Sequence, residues 1–143
     1  MLYFDIPVDF KPQLEAAGCF IEYDRSILLL LRQPFVSPQG NRWGLPSGKL
    51  EASETSLEGI LREVKEETGI LLVPSLTKFL STAYVRYPEL DFTYHIFQCA
   101  LDKKPKVRLN LKEHKSFDWV LPIDSLNMPL MLDLDTCVKF VYK

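Results

Sequence analysis

GKLEASETSLEGILREVKEETGI, residues Gly48 to Ile70, is the stretch that decides how this chain is read. Reduced to its fixed points it runs G-x5-E-x7-R-E-U-x-E-E-x-G-U, with U aliphatic. The slots are filled by Gly48, Glu54, Arg62, Glu63, Val64, Glu66, Glu67, Gly69 and Ile70. Leu57, Ile60, Leu61 and Val64 recur at helical spacing and predict a buried stripe. Ser53 is the expected N-cap and Glu54 falls in the first turn, where a carboxylate suits the helix dipole. Gly69 stands where a C′ glycine stops a helix. A helix over Glu54–Thr68 follows.

At 100° per residue, Glu63, Glu66 and Glu67 lie within one arc of about 100°, roughly a third of a turn from the apolar stripe. Three like charges crowded on a partly buried edge repel one another. A divalent cation removes that cost, and hard oxygen ligands suit Mg²⁺ or Mn²⁺. The alternative is a solvated acidic face, the usual fate of such runs. The spacing to Gly48 and Glu54, with the glycine stop, favours the metal site.

This pattern resembles the signature of the Nudix hydrolases without a mismatch. With each specified position matching by chance roughly 5–7% of the time, an accidental match in one chain falls below about one in a million. The resemblance implies an α/β/α sandwich, a mixed sheet with the motif helix and a C-terminal helix, holding the motif as loop–helix–loop. It also implies that Glu63, Glu66 and Glu67 bind metal, with Glu63 a candidate base for the attacking water. The Gly48 carbonyl would be a further ligand, presented by a loop that a side chain would obstruct. Arg62 resembles the family's anchoring arginine, with Glu58 and Glu66 four residues either side to brace it. Glu54 is expected to act structurally, and Lys49 to meet a phosphate. Ser47 departs from the glycine common at that position. The implied chemistry is water attack on a phosphorus of a diphosphate linkage, assisted by Mg²⁺ or Mn²⁺.

The rest of the chain agrees with a compact enzyme. Its 143 residues are a single-domain length, so 1–143 is read as one domain. Net charge is −2 with scattered basic residues, which leaves no footprint for duplex nucleic acid. MLYFDIPVDFKP lacks the basic and apolar regions of a signal peptide, and Ile27–Leu31 is too short to span a bilayer, so no membrane partner is expected. Cys19, Cys99 and Cys137 read as buried thiols in a reducing cytoplasm. A monomer or homodimer is expected.

Strands are expected at Gly18–Tyr23, Ile27–Arg32, Trp43–Leu45, Thr77–Arg86, Asp91–Leu101 and Ser116–Val120. The continuous apolar run of the second implies burial on both faces. Leu130, Leu134, Cys137, Val138, Val141 and Tyr142 predict an amphipathic C-terminal helix. The specific motif covers only Gly48–Ile70; the architecture covers most of the chain.

Substrate choice is less legible. Glu113 is a candidate second base or ligand, since such enzymes often recruit one outside the motif. His114 reads as a surface residue and His95 as a satisfied strand histidine. Phe35, Trp43, Tyr84 and Tyr94 are candidates to stack on a base. The first expectation is a small-molecule nucleotide, a nucleoside triphosphate, normal or oxidised, cut to monophosphate and pyrophosphate. ADP-ribose, a nucleotide sugar or a dinucleoside polyphosphate are alternatives. A silent nucleotide-binding module would be expected to lack some carboxylates, and this chain keeps them all. RNA-end processing would favour a basic groove.

Overall fold

A computed structural model describes residues 1–143. The strands are β1 (Leu2–Tyr3), β2 (Leu14–Tyr23), β3 (Ser26–Arg32), β4 (Trp43–Gly44), β5 (Ser47–Lys49), β6 (Lys78–Tyr87), β7 (Leu90–Leu101) and β8 (His114–Val120). The helices are α1 (Ser56–Thr68), α2 (Pro122–Ser125) and α3 (Leu134–Val141). They form one eight-stranded mixed sheet, ordered β1-β6-β7-β2-β3-β4, with β5 added to β2 and β8 to β3.

Strand alternation divides the core in two. Phe20, Ile27, Leu29 and Ile96 point to one face and pack with Leu134, Cys137 and Val138 of α3. Cys19, Ile21, Leu28, Leu30 and Phe97 point to the other and pack with Ile60 and Val64 of α1. The expected α/β/α sandwich is therefore present, and the run Ile27–Leu30 is buried on both faces. All three cysteines are free and buried. No helix is long and apolar enough to cross a membrane.

Three boundaries differ for physical reasons. Helix α1 starts two residues later than expected because Thr55, not Ser53, is its N-cap. Thr55 and Glu58 form a reciprocal capping box, whereas Ser53 takes a left-handed conformation (φ 67°). Strand β2 begins at Leu14 rather than Gly18, since its first residues pair in parallel with β7 from Leu14–Phe92 onward. The C-terminal helix begins only at Leu134, because Leu130 is extended and bridges Trp43.

Candidate active site

The motif glycine sits in a strand, not a free loop. Gly48 lies opposite Ala17 in β5, and flanking bonds from Cys19 N to the Pro46 carbonyl (3.1 Å) and Leu50 N to the Glu15 carbonyl (2.9 Å) clamp the segment to β2. A Cβ at Gly48 would overlap the Glu63 carboxylate, so glycine is needed there for space.

Around that strand the motif's side chains divide into two groups. Arg62 gathers the first. Its Nε and Nη2 donate to Glu54 at 2.7 and 2.9 Å, its Nη1 to Glu63 at 2.9 Å and Glu66 at 3.2 Å, and its Nη2 also to the Lys49 carbonyl at 3.0 Å. The guanidinium beside Glu54 pulls that carboxyl down to about 2. Glu54 thus ties Arg62 to the segment before the helix, since it precedes α1. Glu58 does not brace Arg62; its carboxylate accepts the Thr55 N–H (2.9 Å) in the capping box.

The second group is buried and acidic. Glu67 is 6% exposed, and its Oε1 accepts the Ser47 N–H at 2.9 Å. Burial raises its pKa well above the usual carboxylate range, with Glu63 and Glu113 adding to the shift. Glu63 is raised too, first by burial and then, against the pull of Arg62, by Glu66 and Glu113. Glu66 stands apart, with a side chain 55% exposed.

Beside Glu67 lie two residues of the turn entering β8. Donor atoms of Glu67, Glu113 and His114 all fall within 4.8 Å of one another. The turn is anchored by Gln33 N to the Glu113 carbonyl (2.8 Å), Gln33 Nε2 to the Leu111 carbonyl (2.9 Å) and His114 N to the Asn110 carbonyl (3.0 Å). His114 is not a surface residue: it is 4% exposed, because a bulge in the β3–β8 ladder places it opposite Arg32 and leaves Lys115 outside. Burial, then Arg32, lowers its pKa to about 4. A bulge's position depends on partner strands, so nothing local in LNLKEHKSF could reveal it. His95 is satisfied, as expected, between Thr82 and Glu15.

These residues fit a divalent cation. The donors are carboxylate oxygens with one imidazole, Glu67 and His114 are buried, and the neighbouring carboxylates raise the proton affinity of Glu63 and Glu67.

A cleft of about 380 Å³ opens from Gly48 and Lys49 across the α3 side of the sheet, lined by Phe92, Tyr94, Tyr87 and Leu134 among others. The Tyr94 ring lines it, with the hydroxyl against the Ser47 side chain; Gly18 makes room, since a Cβ there would overlap that hydroxyl. Burial, then the nearby Asp133, raises the pKa of the Tyr87 hydroxyl; both residues line the cleft. Phe35 and Trp43 are not brought to it. Phe35 is 71% exposed, and Trp43 packs on the core through its bridge to Leu130. Tyr84 instead packs edge-on to Phe10. Arg32, which the sequence reading passed over, lines the cleft with a buried Nε that has no partner.

Comparison with known proteins agrees with this architecture. The family model described as NUDIX domain matches residues 12–136. The CTP pyrophosphohydrolase of Escherichia coli is 29% identical over 119 residues, covering 82% of each chain. The 8-oxo-dGTP diphosphatase of Proteus vulgaris is 33% identical over 90 residues, 63% of this chain and 78% of that one. A crystal structure of a MutT protein from Methanosarcina mazei superposes with a TM-score of 0.78 at 26% identity, covering 90% of this chain and 92% of that one.

Proposed function

The chain belongs to the Nudix family of hydrolases, and on that premise we propose that it is a metal-dependent pyrophosphohydrolase cutting a nucleoside triphosphate to monophosphate and pyrophosphate. One observation carries this reading: the half-buried Glu63 carboxylate packs against Gly48 and the buried Glu67 accepts the Ser47 N–H, on a strand segment that lines an aromatic-walled cleft. That cleft is near the small end of ligand pockets, which run from roughly 300 to 1,000 Å³. It suits one nucleoside better than two, which favours a triphosphate over a dinucleoside polyphosphate. The relatives named for CTP and 8-oxo-dGTP hydrolysis support the same class.

The roles follow from placement. Glu67, Glu66 and the Gly48 carbonyl would hold the cation, which when bound would neutralise phosphate charge and acidify water. Glu63, raised by burial and pinned by Arg62, accepts the proton of the attacking water. Arg62 fixes the carboxylates and the Lys49 backbone in one frame. Lys49 and the unpartnered Nε of Arg32 offer positive charge to the phosphates. Tyr94, Phe92 and Tyr87 give the base an apolar, aromatic wall. Three buried free thiols suit a reducing, cytoplasmic setting.

The test is chromatography of early products with Mg²⁺ or Mn²⁺ across nucleoside triphosphates, oxidised triphosphates, ADP-ribose, nucleotide sugars and dinucleoside polyphosphates. Monophosphate and pyrophosphate from a triphosphate are expected. Orthophosphate plus a diphosphate as first products would point to an ordinary phosphatase. Binding without turnover in every arm would establish a silent nucleotide-binding module instead.

A further inference from the structure

His114 sits where its chemistry is unexplained by an all-oxygen site. It is 4% exposed, its Nδ1 is buried without a hydrogen-bond partner, and a ring nitrogen lies within 4.8 Å of donor oxygens on both Glu67 and Glu113. Leaving a buried polar atom unpaired is costly, so its retention calls for a partner. Donors on one ion, at bond lengths of about 2.1 Å, stand roughly 3–4.2 Å apart. The observed span is close enough for side-chain rotation to complete the group.

We propose that Glu67, Glu113 and His114 form a mixed-donor site, two carboxylates and one imidazole, that selects a first-row transition ion such as Mn²⁺ or Co²⁺ over Mg²⁺. The inference rests on the pyrophosphohydrolase reading only in sharing Glu67 with it. Imidazole adds little for Mg²⁺, which prefers oxygen in a strict octahedron, but strengthens binding of transition ions. The bond from Ser47 N to Glu67 Oε1 orients that carboxylate while leaving it capacity for a cation. Glu113 is exposed, which gives the ion a way in, and its backbone is held by the anchored turn. Arg32 opposes a cation here, but Glu63, Glu67 and Glu113 outweigh its single charge.

The experiment is pulsed electron paramagnetic resonance of the full-length protein loaded with Mn²⁺, with calorimetric titration of Mn²⁺ and Mg²⁺ into wild type and His114→Gln. Wild type should show a nitrogen coupling from imidazole, absent in the variant. His114→Gln should weaken Mn²⁺ binding by about tenfold or more and change Mg²⁺ binding by less than about threefold. The wild-type spectrum stands whether or not the variant folds. Bound Mn²⁺ without a nitrogen coupling would overturn the site and leave the hydrolase reading untouched. A nitrogen coupling in a protein that hydrolyses no nucleotide would support the site and sink the hydrolase reading.

Discussion

Helix α1, on one face of the sheet, begins at a reciprocal Thr55–Glu58 capping box and ends at Gly69 in the left-handed conformation (φ 75°). Helix α3, on the other face, begins after Asp133, itself left-handed (φ 67°) and without a side-chain cap. The first helix is specified by its own sequence, and it carries the carboxylates to which we assign the chemistry. The second is held by Leu134, Cys137 and Val138 in a core with residues from five strands, and its entry borders the cleft proposed for recognition. On the proposed reading, chemistry rests on a self-defining element and recognition on a tertiary one. Substitutions on the α1 side should change turnover, and those on the α3 side should change which substrate is used.

Glu67→Gln should give the largest effect and is the strongest attempt to break that division. The amide keeps the volume and can still accept the Ser47 N–H, but loses the charge a cation needs. A fall in kcat of about a hundredfold or more, near 2.7 kcal/mol of barrier, is expected. The metal-free melting temperature should not fall, because burial disfavours the charge that is removed. Stopped-flow or discontinuous turnover assays alongside thermal melts check both; wild-type kcat would take Glu67 out of the chemistry.

Next is Gly48→Ala. The new Cβ overlaps a Glu63 carboxylate that Arg62 holds in place, so the clash cannot relax freely. Overpacking typically costs 1–3 kcal/mol, and the expected loss in kcat is about ten- to a hundredfold. Steady-state kinetics should show kcat falling more than KM rises. An unchanged kcat would mean that Glu63 does not work from this position.

On the other face, Asp133→Asn preserves size and tolerates left-handed backbone, but replaces an acceptor-only group with one that also donates. It should shift kcat/KM between bases by several-fold, about 1 kcal/mol, with kcat for the best substrate little changed. Parallel assays on the four bases measure it. A uniform loss across all four would make Asp133 part of the frame.

How far each side was legible follows from the same difference. The α1 edge could be read because its information lies within one local stretch: a stripe at helical spacing, a glycine stop, and three carboxylates on one arc. The reading misplaced its cap, choosing Ser53 when Thr55 had the matching Glu58, and with it gave Glu58 to Arg62 and Gly48 to a loop. The cleft could not be read this way. Tyr94 reaches it only because β7 pairs in parallel with β2 and Gly18 leaves space, while Phe35 and Trp43 are turned elsewhere. His114 looked exposed because a bulge with Arg32, not its own neighbours, turns it inward.

Thr55→Ala tests the self-specification of α1 directly. Losing the cap should cost about 1 kcal/mol, a drop of roughly 2–6 °C in melting temperature, with kcat at low temperature preserved. Thermal melts decide it, and a drop no larger than that of an exposed loop substitution would mean that packing, not capping, defines the start.

The smallest effect concerns what pins the cleft's outer wall. Tyr87 and Leu90, which line the cleft, flank the turn of the β6–β7 hairpin, and one pair of strand residues beyond them Arg86 donates to Asp91 at 3.1 Å from both Nε and Nη2. That pairing, with the Lys11 N–H, lowers the pKa of Asp91. Because the folded value lies below the unfolded one, near 3.9, the contribution is complete above that pH. It fades as pH falls through the lowered folded value. Asp91→Asn should therefore melt slightly below wild type at pH 6, with the gap closing as pH falls from about 4 through the lowered folded value. Added salt should narrow the gap at pH 6 as well, since the pair is only partly buried. A gap that stays constant across the titration would mean that Asp91 acts as a neutral hydrogen-bond acceptor, and that charge plays no part in holding this wall.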